Sequence, residues 1–195
     1  MDYGKLQKLR AKVYFKVHDV QEAFGVKQAS ARVLCHRYVQ QGLFVRLKNN
    51  FYVLGEKWDN FSRDDFLRLA NFLQVPSYIS FASALSFYEL TTQIQRNFFE
   101  SASLRRSLKY TAQGISFTFY KLQKPYYFDF MKYNDIFIAT KEKAFVDSVY
   151  LYSLGKYRLD FHAIDLEKLD KRRMKKLLTP FPSRTQDMIQ KICKI

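Results

Sequence analysis

Apolar residues recur at Val17, Val20, Ala23 and Phe24, the three- and four-residue spacing that lays one face of a helix against a core. Gly25 can adopt the left-handed backbone that ends such a helix, so Gly25, Val26 and Lys27 read as a turn. A second helix is predicted from about Gln28 to Gln41. Its inner face is Ala31, Leu34, Cys35 and Tyr38, which turns Gln28, Ser30, Arg32, His36 and Arg37 outward. After Gly42 the stretches Leu43 to Leu47 and Phe51 to Leu54 read as strands. Lys48, Asn49 and Asn50 form the turn between them, because asparagine tolerates positive φ. Helix, turn, helix and basic hairpin in this order make a winged helix-turn-helix, with Arg46 and Lys48 on the wing.

Beyond Trp58 the pattern changes, which predicts two domains: residues 1–57 as the winged helix-turn-helix and residues 58–195 as an α+β domain. Ser62 and the acids Asp64 and Asp65 open a helix through Phe66, Leu67, Leu69, Ala70 and Leu73. Pro76 closes that region, and Ser80 or Ser83 opens a short helix. Five strand-like stretches follow, Arg96 to Ala102, Ser107 to Ala112, Ile115 to Lys121, Tyr126 to Met131 and Asp135 to Ala139. Gln113-Gly114 and Tyr133-Asn134 supply turns, and a mainly antiparallel sheet is expected. Thr140 caps a helix whose core stripe is Ala144, Phe145, Val149 and Tyr152. Helices over Leu166 to Leu178 and Arg184 to Cys193 finish the chain.

The net charge is +15, distributed as +7 over residues 1–57, +2 over 58–155 and +6 over 156–195. Such a field attracts polyanions but does not choose among DNA, RNA, acidic lipid and acidic protein. What narrows the choice is residue type on the second helix: Arg grips guanine and Gln grips adenine through paired hydrogen bonds. The candidate DNA contacts are Lys27, Gln28, Ser30, Arg32, His36, Arg37, Arg46, Lys48, Asn49 and Asn50. A second basic patch is Lys168, Lys171, Arg172, Arg173, Lys175 and Lys176, on a helix that packs through Leu166, Leu169, Met174, Leu177 and Leu178.

Several chemistries lack their residues. His18, His36 and His162 are scattered without companions at metal-ligand spacing, and Cys35 and Cys193 stand apart as reduced thiols, so no metal or cofactor is expected. A nuclease needs an acid and a lysine two apart on one strand, whereas Glu142 and Lys143 are adjacent and helical. Glu142 and Asp147 are expected as a capping or solvated acid and a local salt-bridge partner. No apolar run is long enough to span a bilayer and the N-terminus lacks a signal peptide's apolar core, so a cytoplasmic protein with no membrane partner is expected.

The N-terminal pattern, together with Tyr78-Ile79-Ser80-Phe81-Ala82-Ser83-Ala84-Leu85 and Ile138-Ala139-Thr140-Lys141-Glu142-Lys143-Ala144-Phe145-Val146-Asp147, resembles the AbiEi family. Members are antitoxins and transcriptional regulators of bacterial type IV toxin-antitoxin, or abortive-infection, systems. The resemblance spans roughly residues 15–155 and carries over no catalytic residue. It implies a non-enzymatic repressor that binds an inverted repeat in its own promoter, as a dimer or a pair of protomers, and whose C-terminal domain counters a nucleotidyltransferase toxin. Two alternatives stand beside it: a protein-interaction module that neutralises such a toxin without specific DNA readout, and a metal-dependent nuclease.

Overall fold

A computed structural model describes residues 3–93 and 96–194. Met1 and Asp2, which carry part of the expectation about the N-terminus, lie outside the described residues. The chain divides into two compact units, Met1–Leu69 with Tyr110–Ile115, and Ala70–Lys109 with Ser116–Ile195. The architecture is mixed α+β. Among the described residues no helix is long and apolar enough to cross a membrane.

The first unit contains α1 (Tyr3–Arg10), α2 (Val17–Phe24), α3 (Gln28–Gln40), β1 (Phe44–Lys48), β2 (Phe51–Leu54) and α4 (Gly55–Trp58). Helix α1 has no counterpart in the periodicity expectation, since among its described side chains only Leu9 is deeply buried. Gly25 stops α2 at φ 66°, in the left-handed region where a side chain costs most. Val17, Val20 and Ala23 of α2 meet Ala31, Cys35 and Tyr38 of α3 in a core closed by Phe15, Phe44, Tyr52 and Leu54. The antiparallel β1–β2 hairpin has an irregular register between Arg46 and Lys48, and Asn50 turns the chain at φ 54°. Phe15 and Tyr52 exchange backbone hydrogen bonds of 2.8 and 2.9 Å, which adds a bridge to the hairpin. Gly55 is needed for close approach: a Cβ there would stand 2.2 Å from the Gly42 carbonyl oxygen.

Helix α5 (Arg63–Leu73) starts in a reciprocal cap, with the Asp65 N–H donating to Ser62 Oγ at 3.2 Å and the Ser62 N–H donating to Asp65 Oδ2 at 3.0 Å. The remaining elements are β3 (Ser77–Ile79), α6 (Phe81–Phe87), β4 (Phe98–Ser103), β5 (Leu108–Ala112), β6 (Ile115–Lys121), β7 (Phe130–Tyr133), β8 (Ile136–Ala139), α7 (Lys141–Ser153), α8 (Lys171–Leu178) and α9 (Ser183–Cys193). The larger sheet has the order β5-β6-β4-β3-β8-β7. Strand β3 pairs antiparallel with β4 and parallel with β8, β4 pairs parallel with β6, and β7 pairs antiparallel with β8.

Several expectations need correcting. Three residues of β3, with neighbours on both sides, are too short to leave a pattern and were not anticipated. Tyr126 to Met131 is not a continuous strand, because a short 3₁₀ turn at Lys124–Tyr126 precedes β7. The turn after β7 sits one residue later than expected, where Asn134 and Asp135 both take positive φ. Leu166 to Leu178 is not one helix: the Asp170 carboxylate accepts from the Arg172 and Arg173 N–H groups and restarts the chain as α8. Helix α7 presents more than a stripe, with Glu142 through Leu151 all buried, while Tyr152 is exposed.

Candidate nucleic-acid interface

Helix α3 buries Ala31, Cys35 and Tyr38 and exposes two rows of side chains, one of them polar throughout. Gln28, Arg32, His36 and Gln40 follow one another at intervals of four, which aligns them along one side of a helix. Ala29, Val33 and Arg37 form the neighbouring row. Val33, which the sequence expectation placed on neither face, is 66% exposed. The helix has no carboxylate anywhere along its length. Its N-cap is Lys27, which makes no side-chain capping bond, so protein side chains leave the first-turn amides open at the positive end of the helix dipole.

The first ridge and the hairpin line one cleft of about 670 Å³. Gln28, Arg32 and His36 stand on one side, Arg46, Asn49 and Asn50 on the other, and His18 lies at the start of α2. No acid lines it. The Arg46 side chain donates from Nε to the Lys48 carbonyl at 3.4 Å, across the register irregularity. Asn50 accepts the Val17 N–H on Oδ1 at 2.8 Å and thereby ties the hairpin turn to the start of α2. Its carbonyl oxygen therefore has a structural task.

Lys27, Gln28, Ser30, Arg32, His36, Arg37, Arg46, Asn49 and Asn50 are all exposed. Lys48 differs. It is half-buried outside the cleft, with Nζ 5.2 Å from the Phe51 ring centre and 5.8 Å from that of Tyr110. Ser30 and Arg37 point away from the cleft wall, on the outward side of α3. Burial pushes the Cys35 thiol up to about 11, so it stays protonated within the core.

In the second patch, Lys171, Arg172, Lys175 and Lys176 are exposed on α8. Arg173 instead reaches Asp129 at 2.9 Å and Glu142 at 3.7 Å, and Lys168, which precedes the helix, donates to the Glu89 carbonyl at 3.1 Å. Glu142 is not a solvated acid. It is buried and accepts the Asp170 N–H at 3.1 Å.

The interior of the second unit holds buried polar groups, among them Asp147, which is the local salt-bridge partner expected of it but lies inside the core. Lys143 and Asp147 form a fully buried ion pair one turn apart on α7. Asp147 Oδ2 also accepts the Tyr78 hydroxyl at 2.9 Å and the Ser80 hydroxyl at 2.8 Å, so Ser80 stands at the N-cap of α6 as expected while its side chain serves Asp147. Burial pushes the Lys143 amine down and the Asp147 carboxyl up, each opposed by the partner's charge. Glu100 is likewise buried and accepts from the Tyr157 hydroxyl at 2.7 Å, the Tyr120 hydroxyl at 3.2 Å and the Ala82 N–H at 3.1 Å. Desolvation lifts its carboxyl to about 7. Among the described residues, no group of three or more His, Cys, Asp or Glu side chains is arranged to hold a metal ion. Compared with known proteins, the chain matches no family model and no curated protein.

Proposed function

We propose that the first unit is a winged helix-turn-helix that reads double-stranded DNA, and that the protein is a transcriptional regulator. The observation that carries this reading is the joint one: an acid-free helix with exposed Gln28, Arg32 and His36 shares a cleft with a basic hairpin. Helix α3 enters the major groove. Arg32, Gln28 and His36 offer hydrogen bonds to base edges, and Val33 offers a methyl-sized contact to thymine. Phosphates take the open amides at the start of α3, with Lys27, and the hairpin takes the flanking backbone through Arg46 and Asn49. Two protomers on an inverted repeat follow from the usual docking of such modules.

Within this reading the protein is the antitoxin of a type IV system that represses its own promoter, acts in the cytoplasm and has no catalytic role. The resemblance to the AbiEi family supports it. A second reading, a protein-interaction module for a nucleotidyltransferase toxin, is favoured by one feature of the second unit. Phe72, Val75 and Phe137 are 41%, 57% and 42% exposed around an apolar groove of about 360 Å³, the kind of surface a protein partner covers.

Fluorescence anisotropy with the duplex upstream of its own reading frame tests the DNA reading. At physiological salt the expected preference over a scrambled duplex is at least about a thousandfold. Equal affinity for both would leave only non-specific charge attraction.

A further inference from the structure

A second acid-free cleft lies in the second unit, and none of the functional residues named so far lines it. Arg105, Arg106, Lys121 and Lys156 surround a cavity of about 690 Å³ whose lining contains no Asp or Glu. Three distant stretches build it: the loop after β4, the end of β6, and the last turn of α7 with the residues that follow.

Local geometry fixes two of these. Strands β4 and β6 run parallel in register from Phe98↔Ser116 to Ser103↔Lys121, so both end at the cleft. The Lys121 N–H donates to Ser107 Oγ at 2.9 Å and the Leu122 N–H to the Ser103 carbonyl at 2.9 Å, which ties the loop bearing Arg105 and Arg106 to the end of β6. The crevice beyond the carboxyl ends of parallel strands is a recurrent ligand position, because the loops leaving both strands converge there. The lining also offers apolar surface, with Leu154 42% exposed and Tyr120 half-buried.

Cations gathered around one cavity without an acid make a positive field that favours an anionic occupant. Simple phosphate would satisfy the cations and leave the apolar surface wet. A ligand that is anionic at one end and flat and apolar at the other uses both. We infer that this cleft binds a phosphorylated nucleoside, free or within single-stranded nucleic acid. The guanidinium groups of Arg105 and Arg106 grip phosphate oxygens in the paired geometry that lysine cannot offer, and the base lies against Leu154 and Tyr120. The inference is independent of the α3 reading.

Calorimetric titration of the full chain with the four nucleoside triphosphates, inorganic tripolyphosphate, adenosine and an eight-nucleotide oligodeoxyadenylate tests it. At least one triphosphate or the oligomer is expected to bind at least about tenfold more tightly than tripolyphosphate and adenosine. Whichever of the two binds more tightly identifies the source. The Arg105→Ala/Arg106→Ala variant is expected to weaken that binding at least about tenfold, since charge-assisted hydrogen bonds are lost. Lys175→Ala/Lys176→Ala removes the same charge from α8 and is expected to change it less than about twofold. Leu154→Asp and Lys156→Glu attack the rest of the lining and should weaken binding as well, which covers the case that the arginine pair disturbs folding. Absence of binding, tripolyphosphate as tight as the nucleotide, or equal losses from the two double variants would overturn the inference.

Discussion

Helices α3 and α7 are both thirteen residues long, and they use their polar side chains in opposite ways. On α3 the cations and amides sit in water around an inner face of Ala31, Cys35 and Tyr38. On α7 Glu142, Lys143 and Asp147 are buried, because α6, α8 and α9 pack around the helix from Glu142 to Leu151. An exposed side chain is free to meet a partner and contributes little to stability. A buried charge must be matched within the protein and becomes part of what keeps the fold specific. The difference leaves the polar side chains of α3 available to a partner, as the proposed function requires, and commits those of α7 to the fold, and it can be tested from both sides.

The largest effect is expected on α7. Lys143→Met leaves Asp147 buried without its partner and should cost about 3–5 kcal/mol in urea unfolding, whereas Lys143→Met/Asp147→Leu should recover most of that loss. Arg32→Ala on α3 should change stability by no more than about 0.5 kcal/mol in the same assay. Comparable losses from the two single variants would erase the contrast.

Glu100 gives a pH signature of the second unit's interior. The folded protein holds the Glu100 proton to higher pH than the unfolded chain does, so the associated stability is complete below the ordinary glutamate range. It falls as pH rises and is lost above about 7. The loss should be on the order of a few kcal/mol. Unfolding measured between pH 4 and 8 should show this decline, and Glu100→Gln should flatten it.

On α3 itself, Arg32→Ala should reduce the preference for the upstream duplex over the scrambled one by about 1–3 kcal/mol, with a smaller loss for Val33→Ala. The smallest effect belongs to the hairpin. Arg46→Ala should weaken binding to every duplex alike and reduce the slope of log affinity against log salt by about one unit. An Arg46 variant that altered sequence preference, or an Arg32 variant that altered only the salt slope, would exchange the roles of helix and hairpin.

The same contrast explains what could be read from the chain. The amphipathic rhythm of residues 17–40 and the Asn turn at 49–50 depend on neighbours a few positions apart, so the outward set on α3 was legible. Glu142 reads as a capping or solvated acid, and only the packing of α7 beneath elements distant in sequence makes it and Lys143 interior. Asn50 was anticipated as a contact residue, yet its bond to Val17 spans 33 positions and left no local trace. The cleft of Arg105, Arg106, Lys121 and Lys156 likewise comes from three stretches that no spacing rule connects.

The most direct measurement is an amide chemical-shift map of the full chain as the upstream duplex is added. The account predicts the largest perturbations at residues 27–37 of the first turn and outer rows of α3, followed by Arg46 and Asn49, with the buried residues of α7 unmoved. Perturbations centred on α8, or spread evenly over every basic surface, would contradict it.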